Sequence, residues 1–275
     1  MAERFVAGDT LDSAVAVARA LNEGGFTVSL DLLGEEVTDV GSASSAVDEY
    51  VACLDRIESE GLDANISIKP TQLGLAIDES MARKAVVRLG RRAAAVGTTV
   101  TIDMEDSRYT EATVRLFEYG QAETDNFGVA LQAYMKRTPA DLERLIPLGG
   151  HIRLCKGAYV EPDEVAIQSK VVVDAAFDQQ MRTLMEAEST VPAIATHDSD
   201  LLKTARDLGS RRNAPFEFQM LYGVRSDVQR ELVAAGFPLR IYLPFGSQWY
   251  PYLTRRLAER PSNAWFFARA LLSGS

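Results

Sequence analysis

The sequence is poor in cysteine and histidine, and this restricts the kinds of site it can form. Cys53 and Cys155 are the only two cysteines among 275 residues, and there are two histidines. The cysteines fall in different predicted elements, without CxxC spacing or a histidine cluster beside them, so no metal site is expected. Two isolated thiols are typical of the reducing cytosol, and a cytoplasmic location is expected.

Long apolar runs and an excess of basic residues are also missing. No uninterrupted run of roughly 18 apolar residues occurs, which argues against a spanning helix, and residues 1–25 lack the apolar core of a signal peptide. The formal net charge is −10. An acidic protein repels phosphate backbones, so nucleic-acid binding is not expected. At most a transient, peripheral contact with a membrane surface fits these features.

Eight short runs rich in β-forming residues recur along the chain. Their spacing of roughly 30 residues is that of a β/α unit, and the chain length fits one (β/α)8 barrel. Each run is apolar nearly throughout, as expected of strands buried on both faces. The predicted strands are 27–34, 64–74, 98–106, 127–135, 151–159, 192–199, 216–223 and 239–246.

Helical patterns fill the intervals between these runs. The predicted helices are 46–60, 78–96, 110–123, a short helix opened by Thr138 and Pro139, 163–187, 199–208, 226–235 and a broken stretch over 247–272. An open doubly wound sheet is the alternative, but the turn after the first strand, LLGEEV, lacks the GxGxxG pattern. We predict a single-domain (β/α)8 TIM-type barrel over 27–275, with an extra N-terminal helix in 1–26.

Polar side chains stand near the carboxyl ends of the predicted strands. In a (β/α)8 barrel those ends meet at one face, which carries the active site. A single polar residue there is more often a helix cap or a structural hydrogen-bonding group, but their occurrence on all eight strands favours a ligand site. They are Asp31, Glu35, Lys69, Asp103, Glu105, Gln132, Arg153, Lys156, Thr196, His197, Gln219 and Tyr242.

The fifth predicted strand carries the densest group. Arg153 and Lys156 are followed by Gly157 and Ala158, and small residues let backbone amides approach a ligand closely. Two cations with such amides favour an anionic ligand or an electron-rich ring.

A second group follows the last strand. Tyr252, Arg255, Arg256 and Glu259 fall on one face of a predicted helix. A solvated charged stripe is the alternative, but adjacent arginines at the active-site face can clamp a carboxylate. No Ser-His-Asp or Cys-His arrangement is evident, and no glycosidase pair of carboxylates is supported. A cofactor that carries the chemistry and an amino-acid-like substrate are favoured.

Taken together, these motifs resemble those of the flavin-dependent proline dehydrogenases in their monofunctional bacterial form. RLxKGAY combined with YLxRRLxE is highly specific, and the motifs run in the family's order. They are SIKPTQLG (67–74), TIDMED (101–106), LQAY (131–134), IRLCKGAY (152–159), ATHD (195–198), FEFQMLYG (216–223), RIYLPFG (240–246) and YLTRRLAER (252–260).

The resemblance implies oxidation of L-proline to Δ1-pyrroline-5-carboxylate with FAD, electron transfer to a quinone, and a separate pyrroline-5-carboxylate dehydrogenase for the next step. It implies that Asp103 and Arg153 are the catalytic or site-ordering pair. Substrate contacts are implied for Lys69, Tyr242, Tyr252, Arg255, Arg256, Leu221, Glu259 and Glu35. FAD contacts are implied for Met104, Gln132, Arg153, Lys156, Gly157, Ala158, Thr196 and His197.

Two other functions are compatible with parts of this pattern. A relative that acts on hydroxyproline is one, but the ring of Tyr242 would crowd a hydroxyl on the substrate. A barrel kept as a non-catalytic binding protein is the other, and it would be expected to lose at least one of the cationic residues. All four are present: Lys69, Arg153, Arg255 and Arg256.

Overall fold

A computed structural model describes residues 4–249 as a closed barrel of eight parallel strands. The strands neighbour one another in chain order, and the last pairs with the first. The predicted (β/α)8 architecture is therefore confirmed. The strands are β1 (Thr27–Leu32), β2 (Ala64–Ile68), β3 (Val100–Ile102), β4 (Phe127–Gln132), β5 (His151–Cys155), β6 (Val191–Ala195), β7 (Glu217–Leu221) and β8 (Leu239–Phe245).

Within this part of the chain, one helix precedes β1 and one follows each strand from β1 to β7. Aspartates in the loops cap several of them: Asp39, Asp78 and Asp198 accept hydrogen bonds from first-turn amides, which fixes where those helices begin. The helices are α1 (Leu11–Glu23), α2 (Val40–Glu60), α3 (Glu79–Val96), α4 (Thr110–Thr124), α5 (Thr138–Leu145), α6 (Lys170–Glu186), α7 (Ser199–Gly209) and α8 (Ser226–Ala234).

Some predicted boundaries were wrong. Helix α2 begins at Val40 rather than at residue 46, because Asp39 caps it and the small polar residues that follow form its first turn. Helix α6 begins at Lys170 rather than at residue 163, since the preceding loop is drawn back to β4 through a bridge between Met135 and Ala166. The predicted strands also ran too far: β2 ends at Ile68, and the next residues turn into the loop.

Helix α1 packs against β1 and β8 and fills the outer groove where the barrel closes. Its buried side chains are Ala14, Val15 and Ala18. The helix lies inside the predicted N-terminal segment 1–26, while the extent of the barrel to residue 275 stays a prediction. Most of the predicted stretch 247–272 lies outside the described residues. Between residues 4 and 249, no helix has both the length and the apolar character needed to cross a membrane.

The strands are largely buried on both faces, as predicted, but most of them are apolar on only one. The outward row packs with the helices in a continuous apolar core that includes Leu30, Ile68, Ile102, Leu154 and Ile241. The inward row is polar on the other strands, where its members hydrogen-bond to one another across the barrel, while β4 and β6 turn Ala130 and Ala193 inward. The polar inward residues are Ser29, Asp31, Asn65, Ser67, Thr101, Asp103, His151, Arg153, Glu217, Gln219, Arg240 and Tyr242.

His151 anchors the amino-end layer of this interior. Its Nε2 lies 2.6 Å from the hydroxyl of Thr101, which also accepts from Asn65. Burial lowers the pKa of His151 to about 4, so the ring is neutral near pH 7. The ring lies directly over Gly128: a Cβ at that position would be 2.1 Å from Nε2. The glycine is thus required by the histidine across the strand pair.

Gly128→Ala is expected to destabilise the protein by about 1–3 kcal/mol, the usual cost of overpacking a filled core. Urea unfolding measures it. The cost should be clearly smaller in a His151→Ala background, where the ring is gone. Gly41→Ala is the matched control, because its added Cβ meets only Asp39 Oδ1, at 3.2 Å. An equal cost of Gly128→Ala in both backgrounds would contradict the proposed clash.

Candidate active site

Asp103 is the centre of a buried charged cluster at the carboxyl end of the barrel. Arg153 pairs with its Oδ1, and the Ser67 hydroxyl donates to the same oxygen at 2.7 Å. The Tyr242 hydroxyl donates to Oδ2 at 2.7 Å, and Lys69 Nζ lies 3.4 Å from Oδ2. Burial alone would raise the pKa of Asp103, but the charges of Arg153 and Lys69 hold it below its ordinary value. Asp103 is therefore a fixed negative charge that orients four side chains.

Lys69 carries the second cation of the cluster. It pairs with Asp31 at the end of β1 and lies 3.4 Å from the Tyr242 hydroxyl. Burial would lower the pKa of Lys69, but Asp31, Tyr242 and Asp103 together hold it well above its ordinary value. Burial raises the pKa of Asp31, whose Oδ2 has no hydrogen-bond partner within the described residues. Lys69 is thus an ammonium shared between two carboxylates.

Arg153 is fixed on both sides of its guanidinium. NH1 bonds Asp103 and donates to the Ser67 hydroxyl at 2.9 Å, while Nε donates to Gln219. The Tyr242 ring lies 5.0 Å from its central carbon, within the range of a cation–π contact. NH2 is buried and has no partner among the described residues. A buried guanidinium nitrogen left open in this way is suited to donate to a ligand.

Gln132 and Glu105 join the loops on the β2–β5 side of the mouth. Gln132 donates to the Glu105 carbonyl at 2.9 Å and accepts from the Ala158 amide at 3.0 Å. The Glu105 carboxylate accepts from both the amide and the hydroxyl of Thr71. Burial raises the pKa of Glu105 to about 7. These bonds hold three loops in one arrangement around the barrel mouth.

The predicted cofactor residues after β5 make contacts that the sequence did not indicate. Lys156 Nζ bonds Asp174 and lies 2.9 Å from Asp198, so its charge is already matched. Gly157 has φ +128°, and a Cβ there would lie 2.3 Å from the ring of Tyr134. The glycine is therefore required by that ring. The Ala158 amide is used by Gln132 rather than left open.

The β6–β7 side of the mouth carries the remaining predicted cofactor and wall residues. His197 Nε2 accepts from the Leu221 amide at 3.0 Å, so that nitrogen carries no proton in this arrangement. The Thr196 hydroxyl accepts from the Asp198 amide at 3.2 Å. Met104 is buried on the opposite side, directly after Asp103. These residues follow β3 and β6 at the mouth of the barrel.

Glu35 is half-buried, and its charge acts on Glu105 and Tyr159. Four further predicted residues lie outside the described part of the chain: Tyr252, Arg255, Arg256 and Glu259. The structure thus brings Lys69, Asp103, Arg153 and Tyr242 into direct contact and arranges the other described candidates around them.

Several residues of the site were missed or left without a role. Ser67 and Thr71 were not singled out, although Ser67 stands two residues before Lys69, the spacing of one strand face. Asp31, Glu105 and Gln219 were recognised as strand-end polar residues but given no function. Their partners lie on other strands, and short-range spacing does not indicate them.

Comparison with known proteins identifies the family. Residues 14–269 match the family model described as proline dehydrogenase. The chain belongs to the proline dehydrogenase family. It is 36% identical over 274 residues to proline dehydrogenase 1 of Bacillus subtilis strain 168, covering 98% of this chain and 90% of the relative. It is 34% identical to the proline dehydrogenase of Deinococcus radiodurans, covering 100% of this chain and 91% of that one.

Solved structures of longer members have the same fold. Proline utilization A from Bdellovibrio bacteriovorus, crystallised after inactivation by N-propargylglycine, superimposes with a TM-score of 0.87 at 23% identity. The match covers 94% of this chain and 32% of that one, so the chain spans about a third of the larger protein. That from Corynebacterium freiburgense gives a TM-score of 0.82 at 21% identity, with 98% and 32% covered.

The raised pKa of Glu105 predicts that the stability of the protein depends on pH. A carboxyl whose pKa rises on folding binds its proton more tightly in the folded state, so its stabilisation is present below 4.5 and is lost as pH rises through about 7. We expect the wild type to lose up to about 3 kcal/mol relative to Glu105→Gln between pH 5 and 8.

Urea unfolding of both proteins across this range measures the difference. The lowered pKa of His151 acts in the opposite direction, since its contribution is lost as pH falls from 6.5 toward about 4. It is present in both proteins and cancels. Parallel curves of unfolding free energy against pH for the wild type and Glu105→Gln would show that folding does not raise the pKa of Glu105.

Proposed function

We propose that the protein is an FAD-dependent proline dehydrogenase, which oxidises L-proline to Δ1-pyrroline-5-carboxylate and passes the electrons to a quinone. This is the first step in the degradation of proline to glutamate. The observation that carries the proposal is the cluster of Lys69, Asp103, Arg153 and Tyr242 at the barrel mouth, in a chain that belongs to the proline dehydrogenase family. Relatives that bear this name share 34–37% identity with it.

The mouth of the barrel suits a flavin. The open NH2 of Arg153 is a buried donor without a described partner, and the isoalloxazine ring offers nitrogen and oxygen acceptors. FAD, when bound, would supply the hydride acceptor for the substrate carbon beside the ring nitrogen. We propose that the residues holding it are Met104, Gln132, Arg153, Lys156, Gly157, Ala158, Thr196 and His197.

The charge of the cluster indicates how a substrate carboxylate would be held. Lys69 and Arg153 are balanced by Asp31 and Asp103, so these four groups are neutral as a set. An added carboxylate in a buried site needs further positive charge. Arg255 and Arg256 are proposed to supply it, while Lys69 is proposed to donate a further hydrogen bond to the carboxylate.

The chain leaves β8 at Phe245, on the mouth side, while α1 fills the outer groove between β8 and β1. This topology supports the placement of the arginine pair over the site. Glu35 is proposed to close the pocket by pairing with Arg255, and Glu259 to support the cations. The apolar wall around the pyrrolidine ring is assigned to Leu221, Tyr242 and Tyr252.

The remaining described residues keep the reacting groups in place. Asp103 accepts the hydrogen bond of the Tyr242 hydroxyl, which fixes the rotation of that ring and keeps its face against Arg153. Ser67 bridges Asp103 and Arg153. An apolar ring wall backed by fixed charges orients a small substrate without requiring movement of the barrel.

The electron acceptor and the partners follow from the same proposal. A quinone would approach the flavin from the open mouth during transient contact with a membrane surface, because an acidic protein is repelled by anionic lipid. The protein is proposed to work in the cytoplasm. A separate pyrroline-5-carboxylate dehydrogenase would consume the product.

The decisive experiment is to purify the protein from flavin-replete cells and record its visible spectrum with and without proline. We expect a yellow protein that proline bleaches and that releases FAD on heat denaturation. Lys69→Met should stay yellow and should be bleached by proline far more slowly, because the substrate carboxylate loses a cation. Release of FMN, or no flavin at all, would refute the cofactor assignment.

The electron acceptor is tested by steady-state turnover. Turnover with a soluble quinone should exceed turnover with NAD⁺ or oxygen.

Tyr242→Ser tests the wall and the hydroxyproline alternative together. Loss of the ring should lower kcat/KM for proline and shift the ratio toward hydroxyproline by about 1–3 kcal/mol, the usual worth of one pocket contact. Tyr242→Phe is the matched control, since it keeps the ring and loses only the hydroxyl bond to Asp103. It should lower the rate but leave the substrate ratio near that of the wild type. An unchanged ratio in Tyr242→Ser would place the ring away from the substrate.

A further inference from the structure

A chain of hydrogen bonds runs across the barrel interior from β8 to Arg153. Arg240 Nε donates to both oxygens of Glu217, at 2.9 and 3.1 Å. Glu217 accepts from Gln219 Nε2 at 2.6 Å, and Gln219 Oε1 accepts from Arg153 Nε. Glu217 and Gln219 are two residues apart on β7 and share its inward face. Neither has a part in the chemistry proposed so far.

The orientation of the Gln219 side-chain amide decides whether it can bind Arg153. A guanidinium only donates hydrogen bonds, so Gln219 must present its oxygen to Arg153. An amide side chain can rotate by half a turn and present its NH2 instead, which would set two donors against each other. Glu217 prevents this, because a carboxylate only accepts and therefore selects the NH2 of Gln219. One negative charge thus fixes the direction of the amide.

Glu217 remains charged although its side chain is only 15% exposed. Burial would raise the pKa of its carboxyl, but the charge of Arg240 and the bonds from Arg240 and Gln219 hold it below the ordinary value. Arg240 is itself fixed, since its NH1 donates to the Val28 carbonyl of β1 at 2.9 Å. The chain therefore begins at the seam between β8 and β1 and ends on the Nε of Arg153.

We propose that Gln219 and Glu217 are positioning residues for Arg153. Glu217 sets the direction of the Gln219 amide, and Gln219 holds the Nε edge of the guanidinium while Asp103 and Ser67 hold NH1. NH2 is then the donor left for a ligand at the mouth. Its importance for turnover rests on the proposed oxidation of proline at this site.

Exchanging the two side chains tests the proposal. In Glu217→Gln the direction of the Gln219 amide is no longer set, and in Gln219→Glu two carboxylates face each other. Each single variant should lower kcat by about tenfold or more while changing the KM for proline much less, because a misplaced group costs rate before binding.

The double variant E217Q/Q219E restores the direction of each hydrogen bond in the chain, with one acceptor instead of two for Arg240 Nε. The amide placed on the first position of β7 then accepts from Arg240 and donates to the carboxylate two residues later, which in turn accepts from Arg153. The double variant should recover most of the lost kcat. A double variant as slow as the singles, although equally well folded, would overturn the proposal. If Gln219→Glu does not fold, Gln219→Leu replaces it as the variant without an acceptor.

A second measurement uses the flavin-loaded protein without substrate, so it is independent of turnover. The Arg153 ¹⁵Nε–¹Hε signal is identified by its absence in Arg153→Lys. Its hydrogen exchange should be slow in the wild type, faster in Glu217→Gln and slow again in the double variant. Slow exchange in both Glu217→Gln and Gln219→Leu would show that Gln219 does not hold Arg153.

Thr101→Val is the matched control. It removes a buried hydroxyl that bonds His151 and Asn65, in the same barrel interior but with no hydrogen bond to Arg153. We expect Thr101→Val to lose about as much stability as Glu217→Gln, while its kcat and its Arg153 Nε–H exchange stay at the wild-type values. If kcat fell as much in Thr101→Val as in Glu217→Gln, the loss of rate would be due to a general destabilisation of the barrel interior and not to the position of Arg153. A wild type inactive toward proline would refute the proposed function, while the exchange data would still decide the positioning role.

Discussion

The ion pair between Asp103 and Arg153 is the constraint on which the rest of the site depends. It joins β3 to β5 inside the barrel, and every other charged group of the interior is ordered by reference to it. On one side Asp103 faces Lys69, which pairs with Asp31. On the other side Arg153 is linked through Gln219 to Glu217 and Arg240, the three residues that complete the row. The charges alternate along this row and sum to zero.

Such an interior is costly and needs another source of stability. Barrel interiors are typically filled by branched apolar side chains, whereas this one encloses three cations and three carboxylates, four of them buried and two partly exposed. Removing ions from water costs several kcal/mol each, and pairing offsets this only when the remaining donors and acceptors are also satisfied. The apolar outer row, packed against the helices, supplies the burial that holds the barrel closed. The outward faces of the strands thus stabilise the fold, while the inward faces of most strands carry the polar groups of the site.

This division explains which features could be predicted from the sequence. The number and order of the strands follow from spacing, because each β/α unit repeats a local pattern. The mouth residues Lys69, Asp103 and Arg153 could also be predicted from the sequence, since they lie at or next to strand ends. The polar row was not recognised, because in strands as short as Val100–Ile102 the alternation of period two covers too few residues. The roles of Ser67 and Gln219 depend on partners on distant strands, which only the register of the closed barrel defines.

Two atoms of the charged row have no hydrogen-bond partner among the described residues, and they suggest why the zero net charge of the row matters for function. Among the described residues, Arg153 NH2 and Asp31 Oδ2 are buried at the mouth without partners, one a donor and the other an acceptor. Because the row is neutral before any ligand arrives, neither atom needs a counter-ion to remain in place. A bound ligand then completes hydrogen bonds without having to neutralise a buried charge, and the cluster does not need to rearrange when the ligand leaves. The net charge of the substrate must instead be met by groups outside the row, which separates substrate binding from the ordering of Arg153.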